Sequence, residues 1–202
     1  MSMLRSYTPA DVLTIGNASC GTIAIFLCLE HLASGDTRLL WVACLLMVLA
    51  LVCDVLDGYV ARLATRRQSR IGADLDSLSD VISFGVAPAV LGYTVGLRGG
   101  WDMLCLTFFV VCGVSRLARF NVTAADLADS ATGKVKYFEG TPIPSSILIV
   151  ALLAVALAFG RIEGQLWLGA YRIGLAWLHP LALVYAASGS AMISATLRIP
   201  KP

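Results

Sequence analysis

Four aspartates on two neighbouring apolar segments are the residues best suited to chemistry in this chain. The first segment ends Cys53-Asp54-Val55-Leu56-Asp57-Gly58-Tyr59-Val60-Ala61-Arg62, and the second begins Gly72-Ala73-Asp74-Leu75-Asp76-Ser77-Leu78-Ser79-Asp80. On helices, Asp54 and Asp57 stand at i,i+3 and Asp76 and Asp80 at i,i+4, so each pair projects from a single face. A short loop makes the two helices antiparallel neighbours, and the two faces can converge. Converging carboxylates repel one another, and insertion scales put the cost of each in an apolar helix at about 2.5–3.5 kcal/mol. Bound cations make such a cluster tolerable without protonation. Oxygen-only ligands select hard ions, and a site with positions left open for phosphate oxygens suits Mg²⁺ or Mn²⁺ better than a closed Ca²⁺ cage. Four carboxylates suffice for two such ions, the arrangement that clamps the attacking and leaving oxygens of phosphoryl transfer. One aspartate alone would read equally well as a helix-pairing residue or a proton relay. Four at these spacings favour the metal site.

Neighbouring residues fit the same chemistry. Gly58 lets a ligand approach the backbone closely, Arg62 can meet phosphate oxygens with a planar fork of donors, and Ser69 offers a hydroxyl from the loop.

These groups need a scaffold, and the composition says which kind. Of 202 residues, 58% are hydrophobic and 14% charged, against roughly 45–50% and about 25% in soluble domains. Five of the thirteen acids fall between Asp54 and Asp80, in segments otherwise apolar enough to enter a bilayer. Stretches of about 20 apolar residues, the length a span needs, predict six transmembrane helices at roughly 12–33, 38–61, 73–97, 101–121, 141–161 and 175–197. The expected fold is therefore an all-α integral membrane protein, with residues 1–202 forming one domain. Six spans place the N-terminus, the 2/3 and 4/5 loops and the C-terminus on one side. Eleven of the fifteen Lys and Arg residues collect there and four opposite, namely Arg38, Arg98, Arg161 and Arg172. The positive-inside rule then puts both termini, and the acidic cluster, at the cytoplasmic face.

Several function classes drop out. A net charge of +2 with no basic run interleaved with aromatics gives no field suited to nucleic acid. The six cysteines lie in or beside apolar helices without a C-x-x-C pair and read as small hydrophobes. No cleaved signal peptide is expected at the N-terminus. His31 and His179 stand singly, with no second metal ligand in view, and His179 before Pro180 reads as an interfacial residue.

The segment resembles the signature of the CDP-alcohol phosphatidyltransferases, D-x2-D-G-x2-A-R followed after about eight residues by G-x3-D-x3-D. Asp54, Asp57, Gly58, Ala61, Arg62, Gly72, Asp76 and Asp80 match it in order, with nine residues, Leu63 to Ile71, in the intervening loop. The resemblance implies six transmembrane helices, usually as a homodimer, and a reaction in which an alcohol displaces CMP from a CDP-linked lipid. It also implies that Asp54, Asp57 and Asp76 bind the metals, with Asp80 beside them as the base. Gly58, Arg62, Gly72 and Ser69 would hold the CDP-lipid. Pro9 to Asn17 is similar to the family's early P-N-x-x-T-x-x-N pattern, with Asp11 in place of the usual Asn. Thr14 and Asn17, at i,i+3, can face the nucleotide, or can be ordinary polar residues packing helices.

The acceptor is suggested by two further stretches, Ser115-Arg116-Leu117-Ala118-Arg119-Phe120-Asn121 and Tyr137-Phe138-Glu139-Gly140-Thr141-Pro142-Ile143-Pro144. Both resemble the branch of the family that uses serine, where an acid at the position of Asp74 is also usual. The resemblance thus implies phosphatidyl transfer from CDP-diacylglycerol to the hydroxyl of L-serine, at the inner face of the cell membrane. Arg116 and Arg119 could supply the fixed cation that serine's carboxylate wants, or could snorkel to lipid headgroups. Another alcohol (glycerol 3-phosphate, inositol phosphate or choline) stays open, as does, more remotely, a divalent-cation transporter.

Overall fold

The computed structural model describes residues 8–63, 70–129, 137–194 and 198–200. Helix α1 (Pro9–Ser34) starts at a reciprocal cap: the Asp11 amide donates to Thr8 Oγ1 at 3.3 Å, and the Thr8 amide donates to Asp11 Oδ2 at 2.6 Å. The acid that departs from the family pattern is thereby used to satisfy backbone donors. A left-handed Gly35, φ 73°, ends the helix, and α2 (Arg38–Leu63) runs back along it. The third rod joins α3 (Arg70–Asp80), a π-helical turn (Val81–Val86) and α4 (Ala87–Val95). The fourth is α5 (Gly100–Asp129). Two shorter apolar helices follow, α6 (Ile147–Ala158) and α7 (Ala182–Ile193).

Four of these rods are long and apolar enough to cross a membrane: Pro9–Ser34, Arg38–Ala61, Gly72–Val95 and Gly100–Val122. They coincide with the first four expected spans. The last two expected spans hold shorter helices, Ile143–Ala158 and Ala182–Ile193. Proline and glycine explain the difference. Pro142 and Pro144 lead into a 3₁₀ turn over Ile143–Ser146, and a turn at Phe159-Gly160 ends α6. Before α7, strands β2 (Tyr171–Ile173) and β3 (Ala176–Leu178) form an antiparallel hairpin. Its turn begins at Gly174, φ 62°, the backbone conformation that hairpin turns assign to glycine. The chain is mostly helical, as expected, with a second strand pair, β1 (Tyr137–Glu139) against β4 (Arg198–Pro200).

Polarity in α1 is the reverse of a soluble helix. Val12, Ile15, Ile23, Phe26 and Leu29 are exposed, while Asp11, Thr14, Asn17, Gly21, Ala24, Cys28 and His31 form the buried stripe. Lipid accepts the apolar side, so helix contacts fall to small and polar residues. Tyr185 knits the far rods together: its ring meets Phe109 edge-on at 5.3 Å, and its hydroxyl donates to the Pro88 carbonyl at 2.7 Å. All six cysteines are free. At the end remote from the aspartates, His179 bonds to the fully buried Asp102 through its backbone amide (2.7 Å) and through Nδ1 (2.6 Å). It is therefore an anchor for the loop before α7.

Candidate active site

The site forms where the N-terminal ends of α1 and α3 meet the C-terminal ends of α2 and α5. A cavity of about 640 Å³ opens there, lined by Thr14 from α1, Asp57 and Gly58 from α2, Gly72, Asp76, Ser77 and Asp80 from α3, Arg116 and Asn121 from α5, and Pro142 and Pro144. Asp54, Asp76 and Asp80 each bring a carboxylate oxygen within 4.8 Å of the others. Convergence of the two helix faces, expected from i,i+3 and i,i+4 spacing, is thus realised for three of the four acids. Asp57 lines the same cavity with its Oδ2 accepting from Thr14 Oγ1 at 2.7 Å, both residues being buried. Asp74 is exposed on another face of α3.

The donor set suits a hard divalent cation. Its ligands are oxygen only, and Asp76 Oδ1 is buried without a hydrogen-bond partner among the described residues. An orphaned anionic oxygen in an apolar surrounding is costly, and a cation is the partner its chemistry calls for. Gly58 carries a second indication: a Cβ there would meet no atom within 4 Å among the described residues outside its own stretch of helix. Packing does not require that glycine, and a side chain would instead intrude on the cavity.

Thr14 and Asn17 both turn inward. Thr14 holds Asp57, while Asn17 Nδ2 donates to Asp80 Oδ1 at 3.3 Å. The residues flanking the signature are placed unevenly. Arg62 lies on α2 with its side chain outside the described residues, and Ser69 lies outside them altogether. Arg116 lines the cavity half-buried, and its Nε has no hydrogen-bond partner among the described residues. Arg119 is exposed and is not among the residues that line the cavity. One pair was not assigned from the sequence: Ser77 Oγ and the Asn121 amide bond at 3.0–3.2 Å, linking α3 to α5 across the cavity wall. Asn121 sits in the arginine-containing stretch already singled out, but a lone serine in α3 carries no comparable signal.

Residues 7–187 match the family model of the CDP-alcohol phosphatidyltransferases. The chain belongs to this family. It is 42% identical over its whole length to a CDP-diacylglycerol–serine O-phosphatidyltransferase of Saccharomyces cerevisiae, spanning 73% of that protein. It is 40% identical to the archaetidylserine synthase of Methanothermobacter thermautotrophicus over 70% of this chain and 55% of the relative. A Helicobacter pylori protein named CDP-diacylglycerol–serine O-phosphatidyltransferase is 40% identical over 64% of this chain and 52% of its own length. No solved structure matches the chain.

Proposed function

We propose that this protein transfers a phosphatidyl group from CDP-diacylglycerol to the hydroxyl of L-serine, releasing CMP. The observation that carries the reading is the clustering of Asp54, Asp76 and Asp80 beside a cavity whose other wall presents the buried edge of Arg116. Kinship with serine-using relatives supports the choice of acceptor.

In this mechanism Asp54, Asp57, Asp76 and Asp80 would hold two Mg²⁺ or Mn²⁺ ions. When bound, such ions neutralise pyrophosphate charge and stabilise an oxyanion. Gly58 and Gly72 give the phosphates room at the backbone; Arg62 and Ser69 supply donors; Thr14 and Asn17 act at the same end through Asp57 and Asp80, to which they donate. Arg116, with Arg119 one turn further along α5, takes serine's carboxylate. Asp80 accepts the proton as the serine oxygen bonds to the phosphorus that carries the diacylglycerol. The bond from that phosphorus to the CMP oxygen breaks, and CMP leaves. Asp80 need not be a strong base, because the developing alkoxide is stabilised beside it.

The reading includes six membrane crossings within a single domain. Both termini and the site face the cytoplasm from the inner membrane, and the protein is a homodimer. The Lys and Arg distribution supports that orientation. Among the described residues Arg116 is the one basic side chain that lines the cavity, which favours a carboxylate-bearing acceptor over a phosphorylated one. The test is CMP release from CDP-diacylglycerol by purified protein across serine, glycerol 3-phosphate, inositol phosphate, choline and ethanolamine. Release dependent on serine is expected; equal release with a phosphorylated alcohol overturns the serine assignment, and metal flux in proteoliposomes without CMP would favour a transporter.

A further inference from the structure

Asp80 is held from behind by α1 and by the π-helical turn that follows it. Asn17 is fully buried, and its Nδ2 donates to Asp80 Oδ1 at 3.3 Å. The amide's other head atom, Oδ1, is buried with no partner among the described residues, so the bond to Asp80 is what fixes the side chain's head. Asn17's own backbone carbonyl accepts from Ser83 Oγ at 2.9 Å, and Ser83 is also fully buried. Ser83 lies in the π-helical turn that starts directly after Asp80, and such turns are frequent at functional sites. One turn along α1 from Asn17, Gly21 closes on the same serine. A Cβ on Gly21 would lie 2.8 Å from Ser83 Cα and 2.5 Å from its Oγ. The absent side chain lets α1 approach the π turn closely enough for Asn17 to reach Asp80.

We infer that Gly21 and Ser83 are positioning residues for the proposed proton acceptor: they set the distance between α1 and the π turn, and through Asn17 they aim the Asp80 carboxylate. The inference rests on the reading of Asp80 as the base. Its mechanical content is specific. Adding a methyl at Gly21 forces α1 away until the Ser83 Cα, now 2.8 Å from the built Cβ, reaches ordinary contact at 3.4 Å or more. The Asn17 to Asp80 bond, already 3.3 Å long, then passes the length at which it counts as a hydrogen bond. One oxygen of Asp80 loses its support while the cavity lining keeps all its side chains.

Gly21→Ala is expected to lower kcat about 10- to 100-fold, the scale of a small misplacement of a reacting group. KM for CDP-diacylglycerol, and the lipid's affinity measured without serine so that nothing turns over, stay within about twofold of wild type, because the perturbation reaches the aim of a group and not the binding surface. An unchanged kcat in Gly21→Ala, or a fall matched by lost lipid affinity, overturns the proposal. If that variant fails to accumulate, Asn17→Ala decides: a kcat loss at constant lipid affinity supports it, and lost lipid affinity makes Asn17 a nucleotide contact instead. Asp80→Asn is run alongside. Turnover surviving that change would sink the base reading itself, whereas an inactive Asp80→Asn beside an unaffected Gly21→Ala sinks only the positioning.

Discussion

Replacing Thr14 by valine removes one hydroxyl from behind the aspartates of the proposed metal site and leaves the shape nearly unchanged. Thr14 Oγ1 donates to Asp57 Oδ2 at 2.7 Å, with the two residues 4% and 6% exposed. A bond that short, to a carboxylate and away from water, belongs to the charge-assisted class, worth about 1.5–3 kcal/mol. Valine leaves no cavity, and the hydroxyl's other acceptor, the Ala10 carbonyl at 3.1 Å, lies in the same helix, so the effect on the site falls on Asp57, which loses its shorter-range donor and the orientation it imposed. At about 1.4 kcal/mol per decade, affinity for a cation that Asp57 helps to hold should drop roughly 10- to 100-fold, the range seen when partners behind metal ligands are removed. The assay is a Mn²⁺ titration of detergent-purified protein by electron paramagnetic resonance, paired with the metal dependence of CMP release. In Thr14→Val the midpoint should move up by that factor while the rate at saturating metal changes little. Thr14→Ser keeps the donor and should stay near wild type. An unmoved midpoint together with a raised KM for CDP-diacylglycerol would refute the reasoning and make Thr14 a nucleotide contact.

Three other outcomes follow from the same geometry. Chelation should abolish CMP release, and Mg²⁺ or Mn²⁺ should restore it, since Asp54, Asp76 and Asp80 present only oxygen ligands; activity persisting after exhaustive chelation would speak against the metal site. Arg116→Gln should raise KM for serine about 10- to 100-fold, as expected for loss of a charge-assisted contact, with KM for CDP-diacylglycerol unchanged; equal rises in both would place Arg116 on the lipid nucleotide. Tyr185→Phe removes a second donor to the Pro88 carbonyl of α4 and should cost about 0.5–1.5 kcal/mol of stability, the net worth of one hydrogen bond, read as a lowered melting temperature in detergent with kcat unaltered.

The membrane character, the first four rods and the pairing of aspartates by face were legible because each depends on local periodicity and composition. Asp54 to Arg62 and Gly72 to Asp80 are helical where expected, and three of their carboxylates converge. The last two expected spans were less legible for a definite reason. Apolar content says neither where a helix starts nor whether a hairpin precedes it, and both were decided at Pro142, Pro144 and Gly174. His179 shows the same limit: its partner Asp102 is 77 residues away, and no local pattern links them.

Spacing along the chain suffices to say that this protein carries a carboxylate cluster on paired helices and that the cluster wants hard cations, because helix geometry converts residue intervals directly into shared faces. It does not say what stands behind those carboxylates. Thr14 on Asp57, Asn17 on Asp80 and Gly21 against Ser83 are contacts between α1 and elements more than forty residues away. They depend on how closely two helices approach, which is set by side-chain volumes on both and by a π turn that no repeat in the sequence announces. The chemistry of the site is therefore written in the signature, while the aim of its proposed base, Asp80, is decided by the packing of α1.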